Sequence, residues 1–367
     1  MAKSGFFSVK ITPDWEALVD CIMRRGTPKR VHNIELFLDE EIKEVICQRF
    51  GIISDLNPGD PYFKLKREIA IQRYLGYDYV RCGLDDFAIS LERLVTADTA
   101  SARRESGREY INEHKGPITN SSEFKQYKWP DPDEANTRSL EWYQENLPDD
   151  MCIIGSGGFA HFAEYLTWLM GYETLCYALF ENRDLVTDIS NKLIEIYRKV
   201  IAKLLTFSRV KIIWGSDDMG FRGGPLISPD DLREFVIPGH KLMAQMSHDS
   251  GRPYLLHSCG NLELIIEDLI DVVNIDARHS FEDTIQDVIS AHKKYGNRIS
   301  HLGGIDVDFL CRSGEDEIRA RVRHTLDECF EGGGYCLGTG NSVANYIPVD
   351  NYLVMMDEGR KFGEEIK

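Results

Sequence analysis

The chain is short of basic charge and has no long apolar run. Its 60 Asp and Glu outnumber 43 Lys and Arg, giving a net charge of −17 across 367 residues. That excess of acid disfavours nucleic acid, whose phosphates need a basic footprint, and anionic membrane surfaces for the same reason. No uninterrupted apolar run approaches the roughly 20 residues of a membrane span. The opening Met1-Ala2-Lys3-Ser4-Gly5-Phe6-Phe7 reaches Lys10 and Asp14 without the apolar stretch of a signal peptide. The nine cysteines are scattered and odd in number, with no compact disulfide spacing. Together these absences predict a reduced, cytoplasmic chain in which most cysteines are small core hydrophobes. Internal repeats and low-complexity linkers are missing too, which predicts one domain over residues 1–367.

What is present is a recurring alternation of short β-rich runs and helical stripes. Strands are predicted at 31–35, 79–83, 151–155, 211–215, 253–257, 272–276, 299–304 and 334–338. Several are continuously apolar, as in a parallel sheet buried on both faces. Between them, residues 184–206 place Ile189, Leu193, Ile196, Val200 and Leu204 on one stripe. Ser228-Pro229-Asp230-Asp231 is a helix start, and Pro238 should end or kink that helix. Residues 283–294 and 315–330 also read as helices. This pattern predicts an α/β fold, a (β/α)8 TIM barrel. A helical extension opening at Asp14-Trp15 precedes the first strand, and residues 86–150 form a long insertion after the second. That insertion falls on the face where barrel chemistry sits, the place of lids and binding surfaces.

Read at the predicted C-terminal strand ends, the residues are rich in ligands and acids. His257 and Cys259, two apart on extended backbone, point to one face. A His-x-Cys pair is expected roughly 0.25 times by chance in such a composition, so placement matters more than the pattern. Cys336 lies at the eighth strand. One imidazole and two thiolates suit Zn2+, and three protein ligands leave a position open for chemistry. The alternative is a core histidine and two buried thiols. Asp217 and Asp218 follow the fourth strand and could orient substrate or ligand, or simply cap a helix. Glu282, with Asp276 and His279, follows the sixth strand and could complete the metal's shell. Glu35 at the first strand end could face substrate. Gly157, after the third strand, and Asn341, after the eighth, could let a cofactor approach.

The segments Pro225-Leu226-Ile227-Ser228-Pro229, His257-Ser258-Cys259-Gly260-Asn261, Gly303-Gly304-Ile305-Asp306 and Gly332-Gly333-Gly334-Tyr335-Cys336 resemble the uroporphyrinogen decarboxylase superfamily, most clearly over 150–367. The His-x-Cys and the late cysteine resemble its zinc-dependent corrinoid methyltransferases, including methylcobamide:coenzyme M and O-demethylase types. The resemblance implies a (β/α)8 barrel, with His257, Cys259 and Cys336 as zinc ligands. It also implies methyl exchange between a small substrate (methoxylated compound, methylamine or thiol) and the cobalt of a corrinoid. The chain lacks the Asp-x-His-x-x-Gly motif of cobalamin carriers, so the corrinoid is expected on a separate partner protein. The alternative is a cofactor-free decarboxylase of a tetrapyrrole. The arginine-rich motif of those enzymes is not found here, and a chain of this charge is a poor match to a polycarboxylate.

Overall fold

The computed structural model describes residues 6–100 and 104–366. Met1–Gly5 and residues 101–103 of the expected insertion lie outside them. Seven strands form one parallel sheet: β1 (Tyr79–Cys82), β2 (Cys152–Gly155), β3 (Val210–Ser216), β4 (Tyr254–His257), β5 (Ala277–His279), β6 (Ser300–Leu302) and β7 (Tyr335–Cys336). Spatial order follows chain order, so each strand reaches its neighbour through a helical crossover. Side chains alternate as the pleat requires. Ile212, Trp214 and Leu255 join one buried cluster, while Ile213, Tyr254 and Leu256 join the other. By the same parity His257 shares the face of Leu255.

The expected first strand, 31–35, is reduced to a bridge. It runs beside the segment after β7, with Ile34 N donating to Leu337 O at 2.9 Å and Leu337 N to His32 O at 2.8 Å. Toward β1 a side chain replaces the ladder. The Tyr79 hydroxyl accepts from Glu35 N at 2.9 Å and donates to Glu35 O at 3.3 Å. The phenol satisfies buried backbone groups that a strand would otherwise pair, and it holds the two segments apart as a seam.

The sixth predicted strand, 272–276, is also displaced. Asp268–Val273 is a wide helical turn ending at Asn274, whose φ of 64° is left-handed. Leu269, Ile270 and Val273 are buried while Val272 is 41 % exposed. This is a helical spacing that β-branched composition disguised, and the strand begins three residues later at Ala277. Other expectations hold more closely. The stripe at 184–206 lies on the helix Arg183–Leu205, with all five named residues buried. Ser228 caps the helix Pro229–Phe235 by accepting from Asp231 N, and Pro238 sits in the first turn of the next helix, Ile237–Asp249. The helix Glu315–Cys329 matches its prediction, whereas 283–294 is helical only over Val288–Tyr295.

The helix Trp15–Ile22 precedes everything else among the described elements. Between β1 and β2 lie an antiparallel pair (Arg93–Thr96 with Arg108–Ile111) and the helices Ser121–Gln126 and Arg138–Asn146. The insertion is tied to the helix Glu40–Phe50 and to the loop before the helix Val349–Glu365. Arg104 Nε donates to Glu41 Oε1 at 2.6 Å, and the Arg108 guanidinium stands 5.6 Å over the Tyr346 ring. No helix of the described residues is long and apolar enough to cross a membrane.

Candidate metal centre

β3, β4 and β5 end side by side, with Ser216 opposite His257 and His257 opposite His279. Beyond β4 the chain turns through Gly260 at φ +89°, where a Cβ would stand 2.2 Å from the Gly220 carbonyl. Only glycine permits both the left-handed turn and this approach. The turn returns Cys259 beneath the loop that follows β3, and the Asp218 carboxylate fastens it by accepting from Cys259 N at 2.9 Å.

Three donors of different type therefore converge. Asp218 Oδ1 lies 3.3 Å from His257 Nε2, Cys259 Sγ lies 3.5 Å from the same nitrogen, and all three ligand atoms fall within 4.8 Å of one another. Asn341 Nδ2 donates to Cys259 Sγ at 3.3 Å, and Ser280 Oγ at 3.7 Å. Two donors aimed at one sulfur fix where its lone pairs point. His257 Nδ1 meets His279 Nδ1 at 2.7 Å. With Nε2 turned to the other ligands, Nδ1 carries the hydrogen and donates to His279. His279 then bears its own proton on Nε2, which is buried without a partner. That relay fixes tautomer and ring orientation, as the outer partners of ligating histidines do.

The electrostatics describe a place for a cation. Burial pulls the His257 imidazolium down, but hydrogen bonds to Asp218 and Cys259 overcome this and hold it up at about 10. Burial raises Asp218, and the hydrogen bond and charge of His257 more than reverse it, leaving the carboxyl well below its ordinary range. His279 is pushed far down by burial and then by the neighbouring His257 charge. The point at which the His257 proton meets the Asp218 carboxylate and the Cys259 sulfur is the position a metal ion would take. A hard oxygen, a borderline nitrogen and a soft sulfur form a donor set suited to zinc.

Cys336 is not brought into this group. It pairs with Leu302 inside the sheet, and two residues separate it from Thr339, whose carbonyl accepts from Gly304 N at 3.1 Å where the chain leaves β7. Its sulfur lies instead 4.0 Å from Cys21 Sγ on the helix Trp15–Ile22. The Cys336 thiol donates there, which holds Cys21 down at about 7 and Cys336 well above the ordinary thiol range. The expectation of Cys336 as third ligand is corrected on this geometry: it closes the short strand β7 with its sulfur turned to Cys21 and away from the ligand group. Asp218, His257, Ser280 and Asn341 are the residues that reach Cys259.

The other expected residues divide. Asp217 is fully buried and accepts from Ala163 N at 2.9 Å, Glu164 N at 3.0 Å and His240 Nε2 at 2.9 Å. It anchors the start of the helix Phe162–Met170 and faces no cavity. Glu282 lines a cavity of about 660 Å³ that also reaches Cys259, Arg278, Ser280, Phe281 and Asn341. Gly157, at φ +104°, lines a second cavity of about 650 Å³ with Glu35, Arg81, Ser156 and Trp214. Asp276 accepts from His248 Nε2 at 2.8 Å and Tyr254 N at 2.8 Å, away from the ligand group.

Glu35 is 2 % exposed and held by Thr339, whose N donates to Oε1 at 2.8 Å. The Thr339 hydroxyl lies 2.6 Å from Glu35 Oε2 and 2.6 Å from Asn341 O, yet has one hydrogen. Both contacts are satisfied only when Glu35 carries a proton and donates it to Thr339, which donates onward to Asn341 O. Burial agrees, pushing the Glu35 carboxyl up to about 8 against the Thr339 hydrogen bonds.

Arg81 and Trp214 were not anticipated. The signal was a charged residue in the otherwise apolar run Tyr79-Val80-Arg81-Cys82, and an indole two residues from Ile212 on the same face.

Known proteins agree with this architecture. Over 126 residues, 34 % of this chain, there is 33 % identity to a methylated-thiol–coenzyme M methyltransferase of Methanosarcina mazei, and the match spans 32 % of that protein's length. A solved methyltransferase from Methanosarcina mazei matches with a TM-score of 0.65 at 16 % identity, covering 94 % of this chain and 98 % of that one. A B12-independent methionine synthase from Shewanella gives 0.50 at 12 % identity over 93 % and 96 %. At such identities these two matches establish the fold. The family model of uroporphyrinogen decarboxylase (URO-D) matches residues 78–362, and the chain therefore belongs to the uroporphyrinogen decarboxylase family.

Proposed function

We propose that the chain is a zinc-dependent methyltransferase that moves a methyl group between a small substrate and the cobalt of a separate corrinoid protein. The observation that carries the reading is the convergence of Asp218, His257 and Cys259 on one point at the ends of β3 and β4. The methyltransferase likeness of the partial relative supports it. Bound there, zinc would supply Lewis acidity toward a substrate heteroatom. The chain's own residues do the positioning. Asn341 and Ser280 hold the Cys259 sulfur, His279 holds the imidazole, and Glu35 stands as a neutral acid beside the substrate cavity. Segment 31–38 would take the eighth position of a (β/α)8 barrel, a reading supported by its bridges to the residues after β7 at Asn33–Leu337 and Leu38–Val343. The 86–150 insertion, tied to Glu41 and Tyr346, would cover part of its mouth. Phe37, Phe221 and Tyr346, each about half exposed and each beyond a strand end, offer apolar contacts to a docking corrinoid protein. The chemistry calls for a reducing compartment such as the cytoplasm, because oxidation of Cys259 would remove a ligand.

The test is elemental analysis of the purified chain with its Asp218→Ala, Cys259→Ala and Cys336→Ala variants, followed by methylation of cob(I)alamin from candidate donors. One zinc per chain, lost in the first two variants and kept in the third, is expected, with methylcobalamin formed by the loaded protein. A metal-free chain that turns over uroporphyrinogen would replace this reading with decarboxylation.

A further inference from the structure

We infer that the cavity at the seam is an anion site in which Arg81 holds the carboxylate of the small substrate, so that the methyl donor is a monocarboxylate with a ring-sized apolar body. The word donor rests on the proposed methyl-transfer reading; the anion site does not.

Arg81 projects from β1 into the cavity of about 650 Å³. Its Nε donates to Ser156 Oγ at 3.0 Å, and its guanidinium lies 4.8 Å over the Trp214 ring. The terminal nitrogens make no hydrogen bond or ion pair with any described residue. The acids that line the cavity are already engaged. Glu35 is closed on Thr339, Glu40 and Glu68 share Lys43, and Asp85 accepts from Ser139 N at 2.8 Å. Arg67 at the rim is paired with Glu40, and Lys64 is in solvent. Arg81 is therefore the inward-facing cation of this cavity that no acid answers. Burial lowers it to about 10, with no carboxylate restoring it.

A half-buried cation without a counterion has lost part of its hydration, and a ligand anion relieves that cost. Trp214 covers one face of the guanidinium plane and Ser156 fixes Nε. The free edge is the fork that a carboxylate accepts with two parallel hydrogen bonds. One cation beside a neutral Glu35, within a chain of net charge −17, selects a single negative charge over a phosphate dianion. Tyr79, Tyr143, Phe159 and Trp214 supply the apolar wall, and the volume suits a molecule of one ring and its substituents. The Trp214 ring is 5.6 Å from that of His279, which bonds His257. A body lying along Trp214 from Arg81 thus extends toward the ligand group.

Isothermal titration of the zinc-loaded full chain with benzoate and with its neutral isostere benzamide tests this. Benzoate should bind about tenfold or more tightly than benzamide, and Arg81→Gln should abolish that preference, while Arg81→Lys keeps part of it. Equal affinities in the wild-type protein, or a preference for benzoate that survives Arg81→Gln, would overturn the assignment. The wild-type comparison decides the matter even if a variant fails to fold. Zinc content and cob(I)alamin methylation are separate readouts. Selective benzoate binding without methyl transfer would leave the anion site standing and remove the methyl-transfer reading.

Discussion

Replacing Glu35 by Gln should change how stability depends on pH, and in a direction opposite to that expected for a carboxylate paired with a cation. The folded-state carboxyl is raised from an ordinary 4.5 to about 8. Between those values the folded chain keeps the Glu35 proton and the unfolded chain releases it. The folded state then binds more protons, so stability falls as pH rises. The contribution is fully present below about pH 4.5 and is lost as pH passes about 8. At about 1.4 kcal/mol per pH unit, the loss across the window is on the order of 5 kcal/mol. Tyr77, Tyr79 and Tyr352 surround the carboxyl, and none of the charges that shift it belongs to a Lys or Arg. The glutamine of the Glu35→Gln variant reproduces the protonated arrangement: its oxygen accepts from Thr339 N and its amide donates to Thr339 Oγ1. Urea denaturation followed by tryptophan fluorescence, in steps from about pH 5 to about pH 9, should show the wild-type curve falling relative to Glu35→Gln. The variant should be the more stable of the two at the alkaline end. A difference between the curves that stays constant across the range would refute the reasoning, since it would mean that Glu35 does not change ionisation there.

Other expectations address the ligand group and its supports. Removing the outer partner in His279→Ala should weaken zinc binding about 10- to 100-fold without abolishing it, measured by competition with a chromophoric chelator; unchanged affinity would remove His279 from the positioning role. Asp217→Ala strips the carboxylate from two backbone donors and His240, and should destabilise the fold by about 3 kcal/mol or more. Its midpoint in urea should fall while zinc stoichiometry in the folded fraction persists, and loss of zinc from a well-folded variant would show that Asp217 belongs to the metal site.

Much of the architecture was legible because parallel strands buried on both faces leave continuous apolar runs, and six of the eight predicted segments carry strands of the sheet. The misses have physical causes. Segment 31–35 has strand-like residues, but whether it pairs depends on the Tyr79 hydroxyl from a distant segment. The run at 272–276 contains β-branched residues, yet its burial at 269, 270 and 273 follows a helical period. In the site, His257 and Cys259 were readable because their spacing and strand end are local. Asp217 and Asp218 were readable as a pair, but not which of them turns inward. That choice is made by the helix Phe162–Met170, whose amides claim Asp217. Arg81 lay outside a reading confined to strand ends, since it sits one residue before β1 finishes.

The exchange of an expected thiolate for the Asp218 carboxylate bears on chemistry as well as on position. Cys259 thiolate, Asp218 carboxylate and neutral His257 carry two negative charges, as two thiolates and an imidazole would, so a divalent ion is equally neutralised. The donors differ in softness. A carboxylate gives less electron density to zinc than a thiolate, so an ion bound here would be a stronger Lewis acid toward a fourth ligand. Asp218 also accepts from Cys259 N at 2.9 Å, which ties its reach to the backbone that carries the sulfur. Asp218→Cys would restore the softer set while deleting that tether. Zinc should still bind to such a variant, but with the turn at Gly260 loosened. Faster amide hydrogen exchange at residues 258–261, with metal stoichiometry retained, is the expected result. Unchanged exchange there would mean that the glycine turn alone positions Cys259 and that Asp218 acts only as a ligand.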